Sequence, residues 1–499
     1  MTHCYKLNGY NIVIDAASGS VHSVDEAAYD AIRMFEDEGA DETARYIGAR
    51  YPDLEHSEIA KLMSDIEALK RQGKLFAEDA TVRLTQKTRA APAKAATAPP
   101  TPTAPTPTAT APTPTATAPT PTATAPTAPP TPPVKALCLN VAHICNMTCG
   151  YCFASAGWRG RDAGEALMSL ETGRQSIDFL VANSGNRKNL YVDFFGGEPL
   201  LNLGAVKGIV KYARGIEIER GKRFLFTLTT NGLLIDDEVI EFANKEMDNV
   251  VLSLDGRPEV NDAMRKLGDG SGSYSEVLPK FKKLVEARGG KNYYIRGTYT
   301  QANLDFATDI LHLADLGFTE LSLEPVVSPP GTPYALQPES LPALCEQYEL
   351  LASEMLKRGG EGRGFTFYHY MIDLAGGPCV YKRIAGCGVG TEYLAVTPDG
   401  SLYPCHRFIG NPAFHMGDVS GGIANDALRA EFERCSVLTR PGCRKCWAKL
   451  YCGGGCTASA YEATGTITGT YDFGCELFKK RMECAIMMRI AERNVNHYE

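Results

Sequence analysis

Residues 95–133 contain only alanine, proline and threonine, and Pro-Thr-Pro-Thr-Ala-Thr-Ala occurs three times in succession over 105–125. Proline at this density removes backbone N–H donors, blocks helix and sheet, and favours extended polyproline II. The stretch has no apolar face to bury, so we expect a semi-rigid spacer. It divides the 499-residue chain into an N-terminal module at 1–88, a linker at 89–134 and a larger body.

The N-terminal module has the pattern of a small α+β unit. Strand-like runs flank Asn8-Gly9, which is a hairpin signal, and a third run follows at 21–24. The capping box Ser23-x-x-Glu26 predicts the start of a helix. Helical patterns extend to about Glu36 and recur near 41–49 and 56–72. This order predicts a winged-helix-like module, which is either a plain folding appendage or a device that captures a substrate.

The body from 135 to 370 alternates strand and helix patterns. Strand-like runs lie at 136–142, 190–195, 223–229, 249–254, 293–300 and 320–327. Helical patterns lie between them, near 169–183, 203–219, 236–247, 273–288 and 304–316. Such alternation predicts an α/β fold with a parallel sheet and right-handed crossovers. Six strands are too few for a closed eight-stranded barrel, so we expect a partial (β/α)6 barrel with its chemistry at the carboxyl ends of the strands.

Three cysteines follow the first strand of the body in the spacing C-x3-C-x2-C, at Cys145, Cys149 and Cys152. Three thiolates on one loop can ligate three irons of a [4Fe–4S] cube and leave the fourth iron open. A zinc site or inert thiols are the alternatives. Zinc sites usually pair C-x2-C elements and take four protein ligands, whereas no fourth ligand lies near in sequence. We expect Cys138, within the strand, to lie in the core.

Short polar motifs stand at the ends of the next three strands. They are Gly196-Gly197-Glu198-Pro199, Thr229-Thr230-Asn231-Gly232 and Ser253-Leu254-Asp255-Gly256. Together with the cysteine loop and its aromatic Tyr151, this set resembles the radical S-adenosylmethionine superfamily. The resemblance implies that the open iron binds S-adenosylmethionine and that a 5′-deoxyadenosyl radical abstracts hydrogen. It also implies a cofactor-binding set of Gly196, Gly197, Glu198, Pro199, Ser253 and Arg265, in which Glu198 accepts from the methionyl ammonium group.

A second field of cysteines occupies the C-terminal region, 371–499. Its members are Cys379, Cys387, Cys405, Cys443, Cys446, Cys452, Cys456 and Cys475. The pattern resembles the SPASM extension of radical enzymes, which implies two auxiliary [4Fe–4S] clusters and three clusters in all. By position, auxiliary cluster I takes Cys387, Cys405 and Cys456, and auxiliary cluster II takes Cys443, Cys446, Cys452 and Cys475. Cys379 is the candidate fourth ligand of cluster I; without it, an open iron would bind a substrate thiolate.

The match to one branch of the superfamily extends over most of the chain outside the spacer. The segments that carry it begin at His3, Asp193, Arg296, Leu311 and Gly377. They resemble the maturases that form thioether cross-links in SCIFF peptides. The resemblance implies a leader-binding RiPP recognition element at the N-terminus, to which the leader adds as a strand. It also implies a Cys-rich precursor peptide as substrate, cysteine-to-carbon thioether cross-links as product, and a flavodoxin or ferredoxin as electron donor.

Other functions stay open at this point. One is an anaerobic sulfatase-maturing enzyme that forms formylglycine, another is a protein of quinone-cofactor biosynthesis, and a third is a non-catalytic iron–sulfur or zinc scaffold. The net charge of −8 argues against a nucleic-acid or anionic-membrane partner. No apolar run is long enough to span a membrane and no signal peptide is evident, so we expect a cytoplasmic protein. The precursor, the acceptor carbon and any general base are not evident from the sequence.

Overall fold

The computed structural model describes residues 1–79, 132–152, 166–328, 331–374 and 380–495. The predicted linker lies outside these ranges except for 132–134, and Cys379 lies outside them as well. The described residues form a small sheet near the N-terminus and an 11-stranded sheet that runs through the body and the C-terminal region. Within these ranges, no helix combines the length and apolarity that a membrane crossing would need.

The N-terminal sheet is antiparallel, with its second strand in the middle. Its strands are β1 (Thr2–Leu7), β2 (Tyr10–Asp15) and β3 (Ser20–Val24), and the helices α1 (Glu26–Arg50) and α2 (His56–Arg71) follow. The predicted capping box at Ser23 is wrong, because the Asp25 side chain caps α1 by accepting from the Ala28 N–H at 2.8 Å. Two predicted helices join in α1 across a kink at Gly39, whose φ is 77°. The resemblance to a winged helix stays a prediction.

The body contains six consecutive parallel strands, each paired with the next. They are β4 (Ala136–Ala142), β5 (Asn189–Gly196), β6 (Arg223–Thr230), β7 (Asn249–Ser253), β8 (Tyr293–Tyr299) and β9 (Glu320–Pro325). The helices between them are α3 (Leu170–Asn183), α4 (Leu203–Arg220), α5 (Asp237–Glu246), α6 (Pro258–Met264), α7 (Tyr274–Arg288) and α8 (Phe306–Asp315). The predicted α/β body with a large parallel sheet is confirmed, and its elements match the predicted runs to within a few residues.

The C-terminal region continues the same sheet beyond both edges of the body. Helix α9 (Leu341–Gly360) leads to β10 (Thr366–Phe367), which pairs with β9. After α10 (Val380–Ala385), β11 (Tyr393–Val396) runs parallel to β4. The antiparallel strands beyond it are β12 (Ser401–Tyr403), β13 (Gly417–Asp418) and β14 (Gly422–Ile423). The remaining helices are α11 (Asp426–Arg434), α12 (Lys449–Cys452), α13 (Thr457–Thr464) and α14 (Asp472–Val495).

The N-terminal module packs on α14. The buried Tyr5 hydroxyl donates to the Glu483 carbonyl at 2.9 Å, and the His3 ring bonds the Glu483 carboxylate at 2.8 Å. The His3 ring also stacks on Trp447, with centroids 4.1 Å apart and planes 7° apart. Apolar side chains of β1 and β2 belong to the same core cluster as the body. The module is therefore docked by burial and hydrogen bonding as well as tethered by the chain.

We expect Tyr5→Ala to weaken this docking. The change removes a buried aromatic ring and its hydrogen bond, and truncating a buried aromatic side chain costs about 3–5 kcal/mol. Hydrogen exchange in β1 and at the Glu483 turn of α14 should accelerate, and the thermal transition should shift downward. Tyr46, which is 37% exposed on α1, provides the matched control, since Tyr46→Ala leaves the interface intact. Equal exchange rates in the two variants would contradict the docking described here.

Candidate active site

The cysteine loop after β4 is held by the backbone that follows β5. The Gly197 N–H donates to the Ala142 carbonyl at 2.7 Å, and the Glu198 N–H donates to the Ile144 carbonyl at 3.0 Å. A Cβ at Gly197 would lie 2.1 Å from the Ile144 oxygen, and one at Gly196 would lie 2.2 Å from the Ala142 oxygen. Gly196 also has a φ of 130°, which L side chains rarely adopt. Both glycines are thus required by the close approach of the two loops.

Glu198 is fully buried beneath the cysteine loop. Its carboxylate accepts from the Thr230 hydroxyl at 2.7 Å, the Asn231 N–H at 2.8 Å and the Leu200 N–H at 3.1 Å. Burial raises the pKa of Glu198 to about 7, against the opposing effect of these hydrogen bonds. The carboxylate therefore ties the ends of β5 and β6 together. Pro199 is buried at the start of the 3-10 helix Pro199–Asn202.

Asn231 connects the end of β6 to the first cysteine. Its amide donates to the Asn146 side-chain oxygen at 2.8 Å and lies 3.6 Å from the Cys145 sulfur. The Met147 N–H also points at that sulfur, at 3.4 Å. Donors directed at sulfur favour its thiolate form, whereas burial raises the pKa of the Cys145 thiol to about 12. The hydrogen-bond donors around its sulfur therefore favour binding of Cys145 to a cationic partner.

A buried ion pair stands on the opposite side of the loop. Asp255, directly after β7, accepts from Arg265 at 3.0 Å, from the Tyr151 hydroxyl at 2.6 Å and from the Thr298 N–H at 2.9 Å. The Arg265 guanidinium also lies over the Tyr151 ring, 5.6 Å from its centroid. Sequence reasoning selected Arg265 but missed that Asp255 would orient it. The signal was available, since Asp255 lies in the Ser-Leu-Asp-Gly motif at a strand end.

Eleven of the predicted site residues line one cavity of about 560 Å³, whereas Pro199, Cys387, Cys405, Cys443 and Cys446 are not among its lining residues. It is lined by Cys145, Cys149, Cys152, Gly196, Gly197, Glu198, Ser253, Arg265, Cys452, Cys456 and Cys475 among others. The structure thus brings the first cysteine loop and members of both predicted auxiliary sets to a common space. Several cavity residues escaped the sequence reasoning, namely Arg296, Glu324, His406, Arg407 and Arg481.

The auxiliary cysteines form two groups of neighbouring thiols. In the first, burial raises the pKa of Cys405 to about 12, and Cys456 and Cys387 add to the effect. In the second, burial raises the pKa of Cys452 to about 12, with further contributions from Cys475, Cys443 and Cys446. These are the two sets predicted from the sequence pattern, with Cys379 outside the described residues.

Cys456 differs from the other auxiliary thiols. Burial acts to raise its pKa, but the Arg407 cation and nearby donors hold that pKa below its usual range. Arg407 Nη1 lies 3.5 Å from the Cys456 sulfur and donates to the Ser459 hydroxyl at 2.8 Å. A thiolate at this position is therefore stabilised by a fixed cation before any metal binds.

The residues present fit the cluster and cofactor that the resemblance implies. Arg265 Nε is buried without a hydrogen-bond partner among the described residues, so it can donate to an incoming anionic group. Ser253 lines the same cavity. Within the described ranges, no three His, Cys, Asp or Glu side chains lie close enough to hold a single metal ion. A cubane does not need that proximity, because each of its thiolates binds a separate iron.

Comparison with known proteins finds a family match within the body and a shared fold. Residues 139–300 match the Radical SAM superfamily. An uncharacterized protein of Archaeoglobus fulgidus is 28% identical over 356 residues, covering 68% of this chain and 78% of that protein. The radical SAM cyclopropyl synthase TigE of Paramaledivibacter caminithermalis is 22% identical over 392 residues, with 72% and 75% covered.

Another relative connects the sequence and structure comparisons. The cysteine-type anaerobic sulfatase-maturating enzyme of Clostridium perfringens is 23% identical over 330 residues, covering 62% of this chain and 85% of that enzyme. The solved structure of native anSMEcpe with bound AdoMet and Cp18Cys peptide superimposes with a TM-score of 0.60 at 19% identity. That superposition covers 73% of this chain and 100% of the solved chain. The two structures therefore share a fold.

We expect Gly197→Ala to displace the cysteine loop. The added methyl group would collide with the Ile144 carbonyl, and overpacking of this kind costs about 1–3 kcal/mol. Denaturant unfolding should show that loss, and iron bound per chain after anaerobic reconstitution should fall. Gly204→Ala is the matched control, since a Cβ at Gly204 meets nothing within 4 Å. Unchanged stability and iron content in Gly197→Ala would contradict the close approach described above.

The raised pKa of Glu198 has a consequence for stability. Its pKa rises from the ordinary value of 4.5 to about 7 in the folded protein. The folded state thus holds the proton more tightly than the unfolded chain, and this group lowers the free energy of unfolding as pH rises through that interval. Glu198→Gln should remove that contribution, so its stability relative to the parent protein should improve between about pH 4.5 and pH 7.

Denaturant unfolding across this pH interval measures the effect. Glu36→Gln is the control, since it changes the net charge equally at an exposed position of α1. A stability difference between Glu198→Gln and the parent that stays constant with pH would contradict the raised pKa.

Proposed function

Residues 139–300 form a radical SAM domain, and on this basis we propose that the protein installs cysteine-to-carbon thioether cross-links in a ribosomally made, Cys-rich precursor peptide. The observation that carries the proposal is the shared cavity, whose lining includes the three-cysteine loop and thiols of both auxiliary sets. Cross-linking needs one centre that abstracts hydrogen from the peptide and a second centre that binds the cysteine sulfur of the same peptide. Sequence relatives support a peptide substrate, because they include anaerobic sulfatase-maturating enzymes.

The first site holds the radical-generating group. Cys145, Cys149 and Cys152 would hold a [4Fe–4S] cluster, which together with S-adenosylmethionine would supply a 5′-deoxyadenosyl radical. Arg265, oriented by Asp255 at 3.0 Å, would offer its unpartnered Nε to the cofactor carboxylate. Ser253, at the end of β7, lines the same cavity and would contact the cofactor. Gly196, Gly197, Glu198 and Pro199 form the wall beneath the loop, and Glu198 is the acceptor for the methionyl ammonium.

The second site comprises two auxiliary [4Fe–4S] clusters in a SPASM-type domain at 371–499. Cluster I uses Cys387, Cys405 and Cys456, with Cys379 as the candidate fourth ligand. Cluster II uses Cys443, Cys446, Cys452 and Cys475. Each cross-link replaces one S–H and one C–H bond by a C–S bond. One hydrogen atom leaves as 5′-deoxyadenosine, and the remaining proton and electron go to solvent and an auxiliary cluster. A flavodoxin or ferredoxin supplies the electron that starts the cycle.

The N-terminal module at 1–88 captures the leader of the precursor. The outer edge of β3 has no strand partner among the described residues, and an edge of this kind accepts an extended peptide by strand addition. The opposite edge strand, β1, is packed against α14. The linker at 89–134 and the docking on α14 together keep the captured peptide near the barrel at 135–370, which raises its effective concentration.

A second candidate function is maturation of a sulfatase by formylglycine formation. It is favoured by the relative in Clostridium perfringens and by the shared fold with anSMEcpe. Incubation of the iron-loaded enzyme with a Cys-rich precursor and, separately, with a cysteine-containing sulfatase peptide distinguishes the two. A thioether product loses two hydrogens and keeps its sulfur, whereas formylglycine loses the sulfur. Mass spectrometry showing only sulfur loss would overturn the thioether assignment.

Replacing Cys145, Cys149 and Cys152 together by alanine should abolish release of 5′-deoxyadenosine, because no thiolate would hold the first cluster. The auxiliary cysteines remain, so iron should fall by about one cluster of three. Chromatography of the reaction mixture and iron analysis measure the two effects. Cys345→Ala, at a partly buried position outside the predicted sets, is the control. Continued cofactor cleavage by the triple variant would refute the site assignment.

Removing the leader from the precursor should reduce its cross-linking by at least about tenfold, as expected when one of two binding modules is disengaged. Ser23→Pro in β3 should reduce turnover of the full precursor toward the level of the leaderless peptide, because proline distorts an edge that must pair. Leaderless peptide should be processed equally by Ser23→Pro and the parent enzyme. If Ser23→Pro slows both peptides alike, the module acts through folding rather than capture.

A further inference from the structure

Arg296 projects into the cavity from the middle of β8. Alternate residues of this strand, Tyr293, Ile295 and Tyr299, are buried in the core, so Arg296 lies on the opposite face, where it is exposed and lines the cavity. The structure records no hydrogen bond or ion pair to its guanidinium among the described residues. An arginine inside a barrel usually has an anionic partner, and this one faces a space that a substrate must occupy.

A polar cluster beside Arg296 is made by Glu324, His369 and Arg481. Arg481 Nη1 lies 3.3 Å from His369 Nδ1, and His369 Nε2 lies 3.3 Å from Glu324 Oε1. Burial lowers the pKa of His369 to about 3, so the imidazole is neutral. Its Nδ1 therefore accepts from Arg481, and its Nε2 donates to Glu324. Arg481 Nε donates to the Tyr348 hydroxyl at 2.8 Å.

Arg481 keeps one unused donor in this cluster. Its Nη2 is buried and has no hydrogen-bond partner among the described residues, and the residue, which is 8% exposed, lines the cavity. A buried donor without a partner carries the cost of desolvation with no hydrogen bond to offset it. A ligand that supplied an acceptor at this position would recover that cost.

Among the described residues, the arginines that line the cavity outnumber the carboxylates that line it. Arg265 pairs with Asp255, and Arg407 pairs with Glu462. Glu324 lies 3.7 Å from Arg481. Among the described residues, the carboxylates that line the cavity are Glu198 and Glu324, and Glu198 is bound to the backbone and Thr230. Arg440, another cation of the lining, donates to the Gly469 carbonyl and to the Thr457 hydroxyl at 2.9 Å. Arg296 and Arg481 share the single carboxylate of Glu324, which leaves an excess of positive charge at this part of the wall.

We propose that Arg296 and the free Nη2 of Arg481 bind a carboxylate of the peptide substrate, from an Asp or Glu side chain or from its C-terminus. The proposal rests on the proposed function, because it assumes that a peptide enters the cavity. A planar guanidinium pairs with a carboxylate through two parallel hydrogen bonds, which fixes orientation as well as position. Glu324 holds Arg481 in place and repels a second anion, so the site accepts one carboxylate in one orientation.

The test uses the iron-loaded, full-length enzyme with S-adenosylmethionine and four synthetic peptides. They share one Cys-containing sequence and differ by Asp or Asn at a single position near the cysteine, each with a free or an amidated C-terminus. Fluorescence anisotropy measures their dissociation constants. We expect the parent enzyme to prefer a peptide with the recognised carboxylate over its neutral counterpart by about 10- to 100-fold, the range for a hydrogen-bonded charged group. The Asp and C-terminus comparisons identify its source.

Arg296→Gln should reduce this preference to near unity, and Arg296→Lys should restore part of it through charge without the planar fork. Arg223→Gln, at an exposed position where β6 begins, is the control for net charge and should leave the preference intact. An equal preference in Arg296→Gln and the parent, or none in the parent, would overturn the proposal. So would loss of peptide-independent 5′-deoxyadenosine release in Arg296→Lys, which would assign Arg296 to the cofactor.

The carboxylate site and the proposed function are refuted by different results. If the Cys-rich precursor is cross-linked while the four peptides bind alike, only the carboxylate site is wrong. If neither the precursor nor the sulfatase peptide is modified by an enzyme that cleaves S-adenosylmethionine, the proposed function is wrong. If Arg296→Gln fails to fold, Arg296→Lys still distinguishes a charge-dependent site from none, since it keeps the cation and alters only its shape.

Discussion

The close contact between the two loops at the ends of β4 and β5 is the constraint on which the site depends. Two backbone hydrogen bonds, from Gly197 to Ala142 and from Glu198 to Ile144, join these loops. They form only because neither glycine carries a side chain that would strike the opposing carbonyl. The contact places Cys145 above the buried Glu198 carboxylate and within reach of Asn231. Loss of this contact would therefore misplace the thiol, the carboxylate and the amide together.

The second organising feature is the continuation of the sheet past β4. Because β11 pairs with β4 in parallel, the C-terminal region is built directly onto the first strand of the body. Buried Glu392 reinforces the junction by binding Lys135 and Arg187, each at 2.6 Å. Cys452, Cys456 and Cys475 of the C-terminal region line the cavity together with the three cysteines of the Cys145 loop. Two cysteine fields separated by hundreds of residues can thus face one cavity.

Charge explains much of the remaining architecture of the cavity wall. Arginines stand wherever thiols or carboxylates accumulate, as with Arg265 beside Asp255 and Arg407 beside Cys456. These pairs are partly or fully desolvated, so each partner would be costly to bury alone. Arg296 departs from the pattern because it has no carboxylate of its own among the described residues and shares Glu324 with Arg481. This arrangement of Arg296 indicates that this part of the cavity wall binds a ligand.

The sequence by itself determined most of the local elements and predicted roles for the cysteines. Strand and helix periodicity located all six strands of the body and five of the six helices between them, because burial of one face imposes a fixed repeat on each element. The short helix α6 (Pro258–Met264) was not predicted. Spacing identified the Cys145 loop, and the resemblance to the SPASM extension implied two sets of auxiliary cysteines. The helix cap was predicted less reliably, because several residues that can cap a helix lie close together in sequence. Ser23 was predicted to cap the first helix, whereas Asp25 caps α1.

Only the tertiary structure decided which distant groups meet. No local pattern places Arg481 against His369 and Glu324, because these contacts follow from the order of the strands and the path of α14. The sequence also did not predict that the N-terminal module docks on α14, because a long spacer indicates how far the module can extend and not which surface it binds. Side-chain pairing across a fold depends on long-range geometry, which a one-dimensional pattern does not encode.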